Sequence, residues 1–160
     1  MDEDGCAERK FLADAALGRL ARYLRMLGYD AAYLKDRDGA AALRETLKTS
    51  RTLLTRRRDL AARDDIEVFH VEDDDVLAQL AATARRFDLK FTADAMARCI
   101  ECNERLGSVS KADVLEELPP HVRKTQEIFA RCPSCGRIYW PGTHYARAVA
   151  RLLGALKRSC

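Results

Sequence analysis

Two Cys-x-x-Cys pairs stand on either side of a helix-sized insertion in the second half of the chain. They are formed by Cys99, Cys102, Cys132 and Cys135. Each short loop can hold two sulfurs about 2.3 Å from one ion, and four thiolates complete the tetrahedral shell of a structural zinc site. Asn103 and Gly136 follow the pairs, and both tolerate the left-handed backbone that closes such a knuckle. Two disulfides or four free thiols are the alternatives, and the doubled motif favours a zinc ribbon.

Aspartates that follow predicted strands form a second candidate site. Asp14 follows the first strand, Asp36 and Asp38 follow the second, and Asp59 follows the third. The carboxyl ends of parallel strands lie along one edge of a sheet, so these acids could converge on Mg²⁺ or Mn²⁺, which prefer oxygen ligands. A metal ion held in this way can activate water and stabilise an in-line phosphodiester displacement. The set therefore predicts a nuclease site, although each aspartate alone could cap a helix, lie in a turn or pair with an arginine.

Arginine clusters accompany the acids. The chain has 28 Lys and Arg against 25 Asp and Glu, a formal net charge of +3, so clustering is more informative than net charge. The clusters comprise Arg19, Arg22 and Arg25, and then Arg51, Arg56, Arg57, Arg58 and Arg63. The guanidinium fork matches phosphate geometry, which makes both clusters candidate contacts to nucleic acid. The alternative is a set of solvated faces and surface ion pairs with the acids.

Hydrophobic patterning predicts the elements that position these groups. Predicted strands occupy residues 10–13, 30–34, 52–55 and 67–71. Predicted helices occupy about residues 17–27, 40–48 and 76–87. Gly28 ends the first helix, and an aspartate among residues 73–75 caps the last. Strands that alternate with helices indicate parallel crossover units, so we expect an α/β fold, a three-layer α/β/α sandwich with a parallel sheet.

The region around the cysteine pairs adds further elements. Ser110 is a natural N-cap for a helix at residues 111–118, which Pro119-Pro120 would stop. Residues 137–140 predict a strand, and residues 143–157 predict an amphipathic helix. We therefore expect two domains, at residues 10–92 and 93–160.

The remaining composition indicates a reducing compartment. Four cysteines are paired for metal, and only Cys6 and Cys160 are left over near the termini. No stretch is long and apolar enough to span a bilayer, and the first ten residues are acidic and polar, unlike a signal peptide. We therefore expect a cytoplasmic protein without a membrane partner.

Four segments together resemble the Mut-seven C-terminal ribonuclease family. They are Phe11–Asp30, Arg51–Arg56, Arg98–Asn103 and Cys132–His144. The Leu-Gly-Arg-Leu-Ala-Arg and Tyr-Trp-x-Gly-x-His pieces are the most specific parts, and the resemblance extends from about residue 10 to residue 155. It implies a PIN-like nuclease domain joined to a Cys₄ zinc ribbon, with metal-dependent activity on RNA.

The same resemblance implies roles within the acid site. Asp14 matches the first acid of the family, and Asp38, or else Asp36, matches the second. A third acid is usual in a Thr-Arg-Asp motif after the third strand, and Arg57 stands in its place here. Because an arginine cannot ligate a metal cation, either Asp59 supplies the third ligand or the site lacks one.

The expected function is Mg²⁺- or Mn²⁺-dependent ribonuclease activity. The alternative is a non-catalytic RNA-binding module, with an RNA-processing or ribosomal partner, whose acid site has decayed. A toxin-like nuclease with a cognate inhibitor would share the fold. The aromatic and histidine side chains of Tyr139, Trp140, His144 and Tyr145 could stack on RNA bases. For Trp140, packing beside the cysteine pairs is favoured over base stacking. For His144, a structural role is favoured over binding to the zinc ion, because four cysteines already complete the site.

Overall fold

A four-stranded parallel sheet lies at the centre of the structure, a computed structural model that describes residues 9–90 and 96–157. Its strands are β1 (Lys10–Ala13), β2 (Asp30–Tyr33), β3 (Thr52–Thr55) and β4 (Val68–His70). The helices that follow them are α1 (Gly18–Met26), α2 (Gly39–Thr49), α3 (Arg58–Ala61) and α4 (Val76–Phe87). The order β2-β1-β3-β4 leaves β1 and β3 side by side in the middle of the sheet.

Side chains of the central strands alternate between two hydrophobic cores, because successive residues of a strand point to opposite faces. On one face, Phe11 and Leu54 pack in a core with α1 and α4. On the other face, Leu12 and Leu53 pack with Ala42 of α2 and with α3. Helices therefore cover both faces, and the predicted three-layer α/β/α sandwich is confirmed.

Successive strands are added on opposite sides of β1. Helix α1 leads to β2 on one side, and α2 leads back across to β3 on the other side. Such a reversal opens a crevice outside the carboxyl ends of the two central strands, where open α/β sheets hold their ligands. Asp14 follows β1 directly, and its backbone N–H donates to the Leu54 carbonyl of β3 at 3.1 Å. Asp14 therefore lies at the mouth of this crevice.

A second, antiparallel sheet surrounds the cysteine pairs. Its strands are β5 (Gly107–Val109), β6 (Phe129–Arg131) and β7 (Ile138–Tyr139). Its helical segments are α5 (Lys111–Val114), a 3₁₀ turn (Leu115–Glu117) and α6 (Pro120–Thr125). Ser110 caps α5 as predicted, accepting the Asp113 N–H at 3.2 Å. The predicted stop at Pro119-Pro120 is confirmed, because the 3₁₀ turn ends at Glu117. Pro120 also begins α6, where its missing N–H has no intrahelical partner to lose.

The C-terminal helix α7 (Thr143–Lys157) packs against α4. Leu152 is buried in the core that α1 and α4 share with the parallel sheet, and Leu153 and Leu156 are half-buried against it. These are the positions that the amphipathic pattern predicted to face inward. Although α7 follows the cysteine pairs in sequence, it therefore completes the core of the parallel sheet.

Some predictions fall on residues that the structure does not describe. The predicted domain boundary between residues 92 and 93 lies among them, and so do Cys6 and Cys160. The division into two domains therefore stays a prediction. Within residues 9–90 and 96–157, no helix has the length and apolar character that crossing a membrane requires.

The first cysteine pair and the residue that follows it, residues 99–103, form the first knuckle. This knuckle docks on the amino end of the parallel sheet through polar contacts. Asn103 accepts the Ala31 N–H at 3.0 Å and donates to Asp30 Oδ1 at 2.6 Å. Asp30 also pairs with Arg51, whose Nη1 lies 2.5 Å from Oδ1 and donates to the Phe11 carbonyl at 3.2 Å. Burial alone would raise the pKa of Asp30, but hydrogen bonds from Arg51 and Asn103 outweigh it and hold this pKa below its usual range.

Arg25 belongs to this docking contact rather than to a solvent-facing stripe. Its Nε donates to the Ala31 carbonyl at 2.7 Å, and its Nη1 donates to the carbonyls of Ile100 and Glu101, both at 2.9 Å. Only 6% of the residue is exposed. This is a correction to the predicted basic stripe: the knuckle covers Arg25, so its guanidinium serves backbone carbonyls instead of phosphates.

Replacing Asp30 tests the docking contact. Asp30→Asn is expected to lower the free energy of unfolding at pH 7 by about 2–3 kcal/mol, because it leaves the partly buried Arg51 guanidinium without its counter-charge. Charged Asp30 stabilises the fold above the unfolded pKa of 3.8, and this contribution is lost as the pH falls through the lower pKa of the folded state. Urea unfolding of Asp30→Asn and of the unsubstituted protein across that pH range measures this effect. The difference between their free energies of unfolding should shrink only at the acid end.

The matched control is Asp65→Asn, because Asp65 pairs with Arg63 on the surface and its side chain is 49% exposed. Loss of this exposed pair is expected to change the stability by less than about 1 kcal/mol. The docking role would be contradicted if Asp30→Asn lost no more free energy of unfolding than Asp65→Asn.

Candidate active site and metal centre

Asp14 is buried at the β1–β3 crevice and is held there by three donors. Its Oδ2 accepts from the Thr55 hydroxyl at 2.5 Å and from the Arg56 N–H at 3.3 Å. Its Oδ1 accepts from the Ala16 N–H at 3.0 Å. The side chains of the two central strands therefore meet at this carboxylate. Sequence reasoning missed Thr55, although a threonine that ends a buried apolar strand needs a polar partner.

The crevice opens into a cleft of about 350 Å³ that collects three of the four predicted aspartates and two of the predicted arginines. The predicted residues that line it are Asp14, Asp36, Asp38, Arg56 and Arg57. They come from the turns after β1, β2 and β3, as expected for the carboxyl edge of a parallel sheet. Carboxylates and guanidinium groups thus share one open cleft.

The two loop aspartates are tied into the start of α2. Asp36 Oδ1 accepts the Asp38 N–H at 2.9 Å, and Asp38 Oδ1 caps α2 by accepting the Ala40 N–H at 3.0 Å. Asp38 Oδ2 lies 3.8 Å from Arg44 Nη2. Among the described residues, no three carboxylates bring oxygens within 4.8 Å of one another. The oxygen donors fit a hard divalent ion in kind.

Asp59 lies outside the cleft lining, and its carboxylate is engaged by Arg57. Arg57 Nε donates to Asp59 Oδ1 at 3.1 Å, and Nη2 donates to Oδ2 at 2.7 Å. These hydrogen bonds hold the pKa of Asp59 below its usual range. The structure therefore places Arg57 in the acid cleft and Asp59 behind it, as the partner of its guanidinium.

The other predicted arginines differ in their partners. Arg56 Nη1 lies 2.6 Å from Asp74 Oδ1, in the acidic loop after β4. Arg22 Nη2 lies 2.7 Å from Glu101 Oε1 of the first knuckle. Arg19 and Arg58 are exposed on α1 and α3. Sequence reasoning missed Asp74, although it follows the fourth parallel strand and so belongs to the same edge.

The four cysteines converge on one point. All four Sγ atoms lie within 4.8 Å of one another, and none forms a disulfide. Cys99 Sγ and Cys135 Sγ are 3.8 Å apart, which matches the spacing of about 3.8 Å between sulfurs that each lie about 2.3 Å from a tetrahedral zinc. Asn103 and Gly136 have φ values of +68° and +73°, so the predicted left-handed positions are confirmed. These cysteines could bind a metal such as zinc.

Tyr139 supports the metal centre from β7. Its hydroxyl lies 3.0 Å from Cys99 Sγ, and the Cys102 N–H donates to the same sulfur at 3.4 Å. Burial raises the pKa of the Cys99 thiol, but these hydrogen bonds outweigh it and lower the pKa to about 7. Because a thiolate is the metal-binding form, the contacts prepare Cys99 as a ligand. The contact of Tyr139 with Cys99 was not predicted from the sequence.

A second cavity of about 510 Å³ is lined by the predicted aromatic residues Tyr139, Trp140 and Tyr145, together with His121 and His144. Trp140 packs edge-on against Phe129, with ring centroids 6.5 Å apart, in the small core of α5 and α6. The Tyr145 hydroxyl donates to the Met26 carbonyl at 3.2 Å. The favoured packing role of Trp140 is therefore supported by its contacts.

Replacing a buried cysteine tests the metal centre. Cys132→Ser is expected to lose the bound metal and to lower the free energy of unfolding by several kcal/mol, because metal binding contributes directly to the folding of such knuckles. Metal analysis and thermal unfolding of the purified protein measure both effects. Ser134→Ala changes an exposed residue of the same loop and should leave both unchanged. Full metal content in Cys132→Ser would contradict a four-cysteine site.

Comparison with known proteins agrees with the sequence resemblance. The model of the Mut7-C RNAse domain family matches residues 9–152, which is most of the chain. No curated protein and no solved structure matches the sequence. The family match spans both the Asp14 cleft and the four cysteines, and the chain therefore belongs to the Mut7-C RNAse domain family.

Proposed function

We propose that the protein is a metal-dependent ribonuclease that hydrolyses phosphodiester bonds of RNA in the Asp14 cleft. The family suggests a nuclease-like role. The observation that carries the proposal is the cleft itself, in which Asp14, Asp36 and Asp38 stand beside Arg56 and Arg57 at the carboxyl edge of the sheet. Carboxylates that attract a divalent cation and arginines that attract phosphate are the two needs of phosphodiester hydrolysis.

The residues of the cleft divide into three tasks. Asp14 and Asp38, with Asp36 in reserve, would hold Mg²⁺ or Mn²⁺, which activates water and neutralises charge on the phosphate when bound. The Thr55 hydroxyl and the backbone N–H groups of Ala16 and Arg56 donate to the Asp14 carboxylate and hold it in place. Arginines position the RNA backbone from the cleft and the surfaces beside it, and those proposed are Arg19, Arg22, Arg56, Arg57 and Arg58.

The cysteine centre is proposed to hold structural zinc. Four thiolates close a tetrahedral shell and leave no open position for a substrate. Free thiols that serve as metal ligands also favour a reducing compartment, so we propose a cytoplasmic location.

A second candidate function is RNA binding without cleavage, as an RNA-processing or ribosome-associated module. The observation that favours it is Arg57, a cation that already stands in the acid cleft. RNA binding that persists in EDTA, with no cleavage in any divalent metal, would support this function over hydrolysis.

Asp14→Asn tests the ribonuclease proposal. Cleavage of a labelled single-stranded RNA with Mn²⁺ or Mg²⁺ is expected to fall at least about a hundredfold, because the amide cannot supply the charge that holds the metal. Zinc content should change little, and the free energy of unfolding should fall by about 1–2 kcal/mol, because Asn has one acceptor oxygen and leaves one of the N–H groups that Asp14 now satisfies without its partner. Asp65→Asn, on the surface outside the cleft, is the control. Full activity of Asp14→Asn would remove this carboxylate from the mechanism.

A further inference from the structure

The position of the Arg57 guanidinium is unusual for an arginine on a strand-end turn. It lies flat against the start of α2, where a Cβ added to Gly39 would approach Cζ and Nη1 to 2.9 Å. Its Nη1 also donates to the Arg37 carbonyl at 3.2 Å. The side chain therefore bridges from the turn after β3 to the loop after β2, across the acid cleft. Glycine at position 39 leaves the room that this crossing needs.

Asp59 holds Arg57 in this position from behind. The two hydrogen bonds between them form a fork, in which Nε and Nη2 of Arg57 donate to the two carboxylate oxygens of Asp59. Bidentate pairs of this kind restrict the direction of the guanidinium more than a single contact does. The ion pair therefore works as a tether for the side chain.

Arg57 also stands in the electrostatic field of the cleft acids. Hydrogen bonding to Asp59 raises the pKa of Arg57, and attraction to Asp14 and Asp38 raises it further. The same guanidinium is therefore attracted by the two carboxylates proposed to bind a divalent ion. Arg57 lines the same cleft as both acids, and a positive charge there weakens the attraction of the cleft for a second cation.

We propose that Arg57 is a tethered cation that competes with a divalent metal ion for the Asp14–Asp38 cleft. The inference rests on the proposed function of the cleft, and it adds a control on how tightly that cleft holds metal. Removing the guanidinium should strengthen metal binding, whereas removing an equal charge elsewhere should not.

The chain supplies a closely matched control. Arg63 forms the same fork with Asp65, also two residues later, with Nε–Oδ1 and Nη2–Oδ2 distances of 2.7 and 2.6 Å. Arg63 does not line the cleft. Arg57→Ala and Arg63→Ala therefore remove the same charge and break the same kind of ion pair, and only the first changes the cleft.

The experiment measures Mn²⁺ binding to zinc-loaded protein from the electron paramagnetic resonance signal of free Mn²⁺. Arg57→Ala is expected to bind Mn²⁺ about tenfold more tightly than the unchanged protein, since removing one nearby positive charge favours a doubly charged ion. Arg63→Ala should bind within about twofold of the unchanged protein, because salt screens distant surface charges. Arg57→Gln, which keeps the length of the side chain, should behave like Arg57→Ala.

Equal Mn²⁺ affinity in the unchanged protein and both Arg57 variants would overturn the inference, and so would an equal gain in Arg63→Ala. Absence of Mn²⁺ binding in every variant would overturn it as well. RNA cleavage, measured separately, distinguishes the two proposals. Tighter Mn²⁺ binding in Arg57→Ala without cleavage by any variant would leave the inference standing and defeat the ribonuclease proposal. RNA cleavage by the unchanged protein, with equal Mn²⁺ affinity in the Arg57 variants, would support the ribonuclease proposal and overturn the inference about Arg57.

Discussion

The ion pair between buried Asp30 and partly buried Arg51 joins parts of the chain that are distant in sequence. Arg51 precedes β3 and bonds to the Phe11 carbonyl of β1, while Asp30 begins β2 and accepts from Asn103 of the first knuckle. Three strands and the knuckle therefore share one cluster of charges and amides. Buried charges are tolerated only when they are paired and hydrogen-bonded, so each partner depends on the others being in place.

This cluster lies at the end of the sheet opposite the acid cleft. Asp30 pairs in register with Lys10 at the start of β1, and Asp14 follows the end of that strand. A strand of four residues is about 13 Å long, which separates the knuckle contact from the Asp14 carboxylate. The first cysteine pair therefore docks at the end of the sheet that lies away from the Asp14 cleft.

The acid cleft is closely balanced in charge. Arg56 pairs with Asp74 and Arg57 pairs with Asp59, so two arginines proposed to meet phosphate already have carboxylate partners. An RNA backbone would have to replace these partners, and the exchange limits the gain in affinity from each contact. Binding in such a cleft depends on fit as well as on net charge.

The sequence by itself determined the four parallel strands and the helices α1, α2 and α4, because strand alternation and helix caps depend on neighbouring residues. It did not indicate the short elements α3, β5 and α6. It placed Asp14 after the first strand and identified the four converging cysteines. Only the tertiary structure decided what covers each surface. Helix periodicity predicted that Arg25 lies on the same exposed face as Arg22, but the first knuckle buries Arg25. No local pattern indicates that the Arg57 side chain reaches Gly39. Both outcomes come from contacts between segments far apart in the chain, which local physical chemistry does not encode.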